Sequence, residues 1–254
     1  MELNIKSFGE GKPVIIFHGL LGSLDNWISV SKAISKYHKV ILVDLPNHGK
    51  SYHTEEFSYQ KMSESIHNIL NANKIENISI IGHSMGGKLA LNYVDNYKDH
   101  VNKLIIVDVA NKTYSPNRFD NVFKAINNID IHKISSRNQA FEIVKNIIPS
   151  EGERNFILKN LKRTDKGFIW APNIELLEKS LVEISSRIKL KKKITHQSLF
   201  LFGQESNYYN EYDIKIISNE FENFDVKIVR NSGHWIHAEN PKDFINYTTE
   251  FLKL

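Results

Sequence analysis

The stretch "IIGHSMGGK" (residues 80–88) places a serine where its hydroxyl could act as a nucleophile. Gly82-His83-Ser84-Met85-Gly86 matches the G-x-S-x-G pattern and lies between an apolar run and a helix-like one. On a sharp strand-to-helix turn the serine is pushed outward with strained backbone angles, and its neighbours must be small for the turn to close. The helix N-terminus beneath it favours the negative charge that builds up in acyl transfer. Ser84 is the candidate nucleophile.

A serine of this kind needs a base and a site for the oxyanion. "IIFHGLLGS" (15–23) is an apolar run followed by a glycine-bearing loop, which can aim a backbone N–H at a substrate carbonyl. The expected oxyanion donors are the N–H groups of Leu20 and Met85, with His18 acting only as a hydrogen-bonding support of the loop. The base is expected in "NSGHWIHAENP" (231–241). His234 alone, of eleven histidines, follows the serine in chain order and sits in a glycine-closed loop ahead of a C-terminal helix. His237 and His48 read as structural residues. An acid must then hold the imidazole in its tautomer. Position alone leaves three candidates: Asp213 inside a probable helix, Glu205 one residue ahead of the usual place after "LFG", and Asp108 at the end of "LIIVD".

These residues can meet only if the elements carrying them share one edge. The strand candidates are "PVIIFHG" (13–19), "KVILVD" (39–44), "ISIIGHS" (78–84), "KLIIVDVA" (103–110), "SLFLFG" (198–203) and "FDVKIVR" (224–230). Nearly continuous apolar runs of this length suit strands buried on both faces of a parallel sheet. Periodic segments around 24–37, 58–73, 86–97, 209–220 and 241–253 are long enough for crossover helices, so the fold class is α/β, a mostly parallel sheet flanked by helices. The rhythm breaks between Asn111 and His196, a charged, helix-like stretch without a strong strand. Residues 111–196 are expected to form a helical cap over the carboxyl ends of the strands, where open α/β sheets bind ligands. The remaining 1–110 and 197–254 form the core. Phe123, Phe168 and Trp170 of the cap are the aromatic residues expected to line a substrate pocket, with core packing as the alternative for each.

Composition removes other classes. The absence of cysteine excludes a thiol nucleophile, thiolate metal sites and disulfides. A net charge of +4 is too small to argue for nucleic acid, and "IKLKKKITH" (188–196) reads as a solvated segment ahead of a phosphate-binding patch. No run reaches the eighteen apolar residues of a membrane span, and the N-terminus lacks the basic start and apolar core of a signal peptide, so the cytoplasm is expected. No group of His, Asp and Glu has metal-ligand spacing.

Taken in order, "FHGLLGSLDNW", "VDLPNHGKS", "IGHSMGGK", "IVDVA" and "SGHWIHAENP" resemble the α/β-hydrolase superfamily, and more narrowly the small bacterial esterases of the YbfF type. The resemblance implies hydrolysis of short acyl esters, with acyl-CoA thioesters as a further substrate, through a serine–histidine–acid triad and an acyl-enzyme, without a cofactor. It also decides the acid: in that type the acid follows the earlier strand and a serine takes the usual place, which Asp108 and Ser206 match. Asp108 is then the triad acid and Ser206 an accessory beside His234. The chain departs from the type at Asn111 and in "SNYY" (206–209), where proline is usual. The rival enzymatic reading is a dedicated small-substrate hydrolase, either a carbon–carbon bond hydrolase or a methyl esterase acting on an acyl carrier. A non-catalytic receptor on the same fold is the rival of another class.

Overall fold

Side chains alternate across a strand, so a run that is apolar at every position must cover two layers at once. In the computed structural model, which describes residues 2–253, the predicted strands do this except the one at 224–230, an edge strand in which only Val229 is buried. Ile15, Phe17, Ile41, Ile80, Leu104, Ile106, Phe200 and Phe202 enter one core layer. Their neighbours Val14, Ile16, Leu42, Ile81, Ile105, Val107, Leu199 and Leu201 enter the other.

The chain runs β1 (Ile5–Phe8), β2 (Pro13–Phe17), α1 (Ile28–Ile34), β3 (Lys39–Val43), α2 (Tyr59–Ala72), β4 (Ile78–His83), α3 (Met85–Asn96) and β5 (Val101–Val107). After β5 it leaves the sheet for α4 (Asp120–Asn127), α5 (Arg137–Lys145), α6 (Glu151–Leu158), a hairpin of β6 (Leu161–Thr164) and β7 (Gly167–Trp170), α7 (Ile174–Lys179) and α8 (Leu181–Ser185). It returns through β8 (Ser198–Gly203), α9 (Asp213–Glu220), β9 (Phe224–Val229), α10 (Ile236–Glu239) and α11 (Pro241–Lys253). The seven-stranded sheet has the order β1-β3-β2-β4-β5-β8-β9. Only β1 is antiparallel, pairing Ile5 with Val43. Parallel pairing brings the ends of β2, β4, β5 and β8 to one edge, through Phe17↔Gly82, His83↔Val107 and Val107↔Leu201.

Two elements were not foreseen. β1 is a four-residue edge strand with three exposed residues, too short and too polar to show as an apolar run. The excursion between β5 and β8 is not wholly helical, because Leu161–Thr164 and Gly167–Trp170 pair around a turn at Asp165 and Lys166. The hairpin hides in a charged sequence because Lys162, Arg163 and Thr164 face solvent.

Both ends of the excursion are stitched to the core by buried polar groups. Lys88 on α3 is only 2% exposed, and its Nζ donates to the carbonyls of Lys112 (2.8 Å), Ser185 (2.7 Å) and Ser186 (2.5 Å). Burial pulls its pKa down to about 7, and three carbonyl oxygens are the local counterweight a cation there needs. Asn111 donates to the Ile188 carbonyl and to Glu220 while accepting from the Ile188 N–H. The departure from proline at 111 therefore ties the outgoing strand of the excursion to the returning one. Lys88→Met keeps the stem but strands three acceptors, so it should lower unfolding stability by roughly 2–4 kcal/mol. Urea denaturation checks this, and a loss under about 0.5 kcal/mol would mean that the carbonyls find other partners.

Among the described residues, no helix is long and apolar enough to cross a membrane. The lysines of 188–196 are largely exposed, as expected of a solvated segment, with Lys191 hydrogen-bonded to Asn96.

Candidate active site

Ser84 caps α3 at φ 53° and ψ −117°, a backbone region that L-residues avoid. Close packing around the turn explains its glycines. A Cβ at Gly82 would lie 2.4 Å from the Gly86 carbonyl oxygen, and one at Gly86 would lie 2.2 Å from the Phe17 oxygen. Contacts that short admit only glycine, and they press the start of α3 against the end of β2. Ser84 N–H donates to the Val107 carbonyl (2.9 Å), so the turn is also hung from β5.

The loop after β2 is fixed by one histidine. Leu45 N–H donates to His18 Nε2 (3.0 Å), which leaves the proton on Nδ1, and Nδ1–H donates to the Gly19 carbonyl (2.9 Å). Burial pulls the His18 pKa down to about 4, keeping the ring neutral. The Gly19 carbonyl also accepts from Gly22 N–H (2.9 Å). A trans peptide holds its C=O and N–H in opposite directions, so anchoring the Gly19 oxygen aims the Leu20 N–H. Among the described residues, neither Leu20 N–H nor Met85 N–H has an acceptor, and both residues flank Ser84 around a small gap. Two free donors beside the serine hydroxyl suit a developing oxyanion.

His234 and Asp108 meet from opposite ends of the chain. Asp108 is fully buried just past β5, itself at φ 50°. Its Oδ2 accepts from His234 Nδ1–H (2.6 Å) and from Ser206 Oγ (2.5 Å), and its Oδ1 accepts from Gly203 N–H (3.0 Å). Ser206 in turn accepts from Tyr208 N–H (3.2 Å). The other two acid candidates lie elsewhere. Glu205 is exposed, and Asp213 binds Lys112 Nζ at 2.8 and 2.7 Å.

Three supports of the histidine were not foreseen. His83 Nε2–H donates to the His234 carbonyl (2.8 Å), and burial holds the His83 pKa well below its usual value, so this ring stays neutral. Tyr208 stacks on the His234 ring at 3.9 Å and 11°. Arg118 lies 4.0 Å above the Tyr208 ring from the other side and also hydrogen-bonds Asn207. The stretch "SNYY", the second departure from the resembled type, thus supplies a lid for the imidazole. His237 is structural as expected, stacked on Trp27 at 3.9 Å.

A cavity of about 380 Å³ opens on Ser84 and His234, with Leu20, Tyr208 and Trp235 in its wall. The excursion contributes Arg118 and Phe119 from the turn before α4, Val122 from its first turn, and Glu153, Phe156 and Ile157 from α6. None of Phe123, Phe168 and Trp170 lines it, which corrects the pocket residues expected from the sequence. Phe123 and Phe168 are buried in the core layer, and Trp170 packs against that layer. The reason is helical phase. Val122 and Phe123 are successive residues of α4, about 100° apart around its axis, so Val122 faces the cavity while Phe123 and Ile126 face the core. Glu153, Phe156 and Ile157 have the i, i+3, i+4 spacing of one face, a signal that choosing by aromatic type overlooks.

A serine at the carboxyl edge of the sheet, sharing a cavity with a histidine held by a buried carboxylate, is the arrangement serine hydrolases use. This chain belongs to the α/β-hydrolase fold family, whose profile matches residues 12–241. Esterase YbfF of Escherichia coli (strain K12) is 30% identical over 99% of this chain and 99% of its own length. The sn-1-specific diacylglycerol lipase ABHD11 of Danio rerio is 30% identical over 96% of this chain and 80% of its own. The solved structure of a marine microorganism esterase matches with a TM-score of 0.95 at 37% identity, covering 98% of this chain and 99% of that one. The protein is a serine hydrolase of the carboxylic-ester class.

Proposed function

We propose that the protein cleaves small to medium acyl esters, acyl-CoA thioesters among them, through a Ser84–His234–Asp108 triad. The observation that carries this reading is the 2.6 Å hydrogen bond from His234 Nδ1–H to the buried Asp108 carboxylate. It leaves Nε2 unprotonated and free to take the Ser84 proton. Ser84 Oγ attacks the acyl carbon, and the N–H groups of Leu20 and Met85 hold the oxyanion. His234 returns the proton to the leaving alcohol or thiol, and water then releases the acid from the acyl-enzyme. Ser206 and Gly203 N–H keep the Asp108 carboxylate in place.

In the same reading, residues 111–196 act as a cap over the core of 1–110 and 197–254, and Phe119, Val122, Phe156 and Trp235 grip the substrate chain. A panel of p-nitrophenyl esters from acetate to octanoate, run beside acyl-CoA thioesters, tests the substrate class. Inertness toward the whole panel, with no labelling of Ser84 by a fluorophosphonate, would remove the esterase assignment. Contacts remote from the reacting atoms help only chains long enough to reach them. Phe156→Ala should therefore cost about tenfold in kcat/KM on the octanoate and little on the acetate. An equal loss on both would make Phe156 a packing residue.

A further inference from the structure

The triad leaves one ionisable group of the cavity unused. Glu153 sits in the first turn of α6, after the Ser150 cap, and lines the same space as Ser84 and His234. Among the described residues, its carboxylate has no hydrogen-bond or ion-pair partner. The side chain is half-buried between Phe156, Ile157 and the facing wall. Arg118, the cation of that wall, keeps its charge, but its contacts with Asn207 and the Tyr208 ring hold it on the Tyr208 side of the cavity, with no ion pair to Glu153 among the described residues. Asp108 is buried behind His234 and already carries three hydrogen bonds. Glu153 is therefore the acidic group left facing a bound substrate.

We propose that Glu153 makes this cavity select substrates by charge, accepting esters whose chain ends in a neutral or cationic group and rejecting those that end in a carboxylate. The inference rests on the esterase reading above and adds the substrate class to it. An unpaired carboxylate in a partly dry cavity costs free energy that a cationic or donor group on the ligand would recover, and a second carboxylate would add to. Burial raises the Glu153 pKa while the nearby His234 acts to lower it, which agrees with a desolvated carboxylate in electrostatic reach of the site. Two unit charges roughly 6–8 Å apart at an effective dielectric near 20 interact strongly enough to change a rate by about tenfold or more.

The test uses three substrates of one chain length: p-nitrophenyl hexanoate, its 6-trimethylammonio derivative and the p-nitrophenyl half-ester of adipic acid. A second set carries methyl, trimethylammonio and carboxylate ends on the alcohol, so that whichever limb enters the cavity is read. Each kcat/KM is divided by that of the neutral ester within the same variant, so a general change in turnover cancels. The wild type should favour the cation over the anion by about tenfold or more, Glu153→Gln should bring the two near parity, and Glu153→Lys should invert the order. If both variants move the cation-to-anion ratio by less than about twofold in both sets, charge selection by Glu153 is wrong while the esterase reading stands. If none of the esters is cleaved, the esterase reading falls and takes this inference with it.

Discussion

Ser84→Ala is expected to lower kcat on p-nitrophenyl butyrate by about 10⁴-fold or more, leaving only what binding and the oxyanion donors supply without a nucleophile. The loss should fall on kcat with KM little changed, because the hydroxyl acts on the acyl carbon and makes no remote contact with the chain. His234→Ala should cost a similar factor, since serine and histidine act as one unit, and the double variant should be little worse than either. The fold should survive. Alanine occupies the φ 53° position with the same Cβ as serine, and the Ser84 N–H bond to Val107 belongs to the backbone. Purified Ser84→Ala should therefore keep the wild-type circular dichroism spectrum while losing all fluorophosphonate labelling. A variant that retains a tenth of wild-type turnover would take Ser84 out of the nucleophile role.

The same geometry explains which parts of the protein were readable from sequence. β2, β4, β5 and β8 are buried on both faces, so each shows as an unbroken apolar run with a functional residue at its end. Ser84 was legible because close backbone contacts dictate its flanking glycines, a constraint written directly into residue types. His234 was legible from chain order and loop context. Asp108 was harder. Its role depends on three donors from Gly203, Ser206 and His234, all distant in sequence, and only the family resemblance separated it from Glu205 and Asp213.

The cavity wall was illegible for a different reason. A side chain on an amphipathic helix serves core or cavity according to a rotation of one position, as the successive residues Val122 and Phe123 do. The support given by Tyr208 and His83 needs ring planes and carbonyl directions, which spacing does not encode. Edge strand β1 exposes three of its four residues, and the β6–β7 hairpin buries only Leu161 and Phe168 among charged neighbours, so neither carries an apolar run to detect.

Asp108→Asn should cripple the enzyme by about 10⁴-fold in kcat, the scale seen when a triad acid becomes its amide. The argument is one of donors and acceptors. Asp108 Oδ2 faces two donors, His234 Nδ1–H and Ser206 Oγ–H, and Oδ1 faces a third, Gly203 N–H. An asparagine has one oxygen and one NH₂ to set against them. With NH₂ toward His234, the ring must shift its proton to Nε2, where it blocks the base. With NH₂ toward Gly203, two buried donors oppose each other, and a neutral oxygen is left to steady the imidazolium. Either orientation loses the charge that the transition state needs. Ser206→Ala removes one of the three donors and keeps the carboxylate, so a loss of about tenfold is expected, from a looser Asp108. Glu205→Gln should retain wild-type kcat, because that carboxylate is exposed and touches none of these groups. With the fold of each variant checked by circular dichroism, the order Asp108→Asn far below Ser206→Ala, and Ser206→Ala below Glu205→Gln, is the expected result. A crippled Glu205→Gln beside an active Asp108→Asn would move the acid to the loop after β8 and leave the 2.6 Å bond to His234 without a catalytic role.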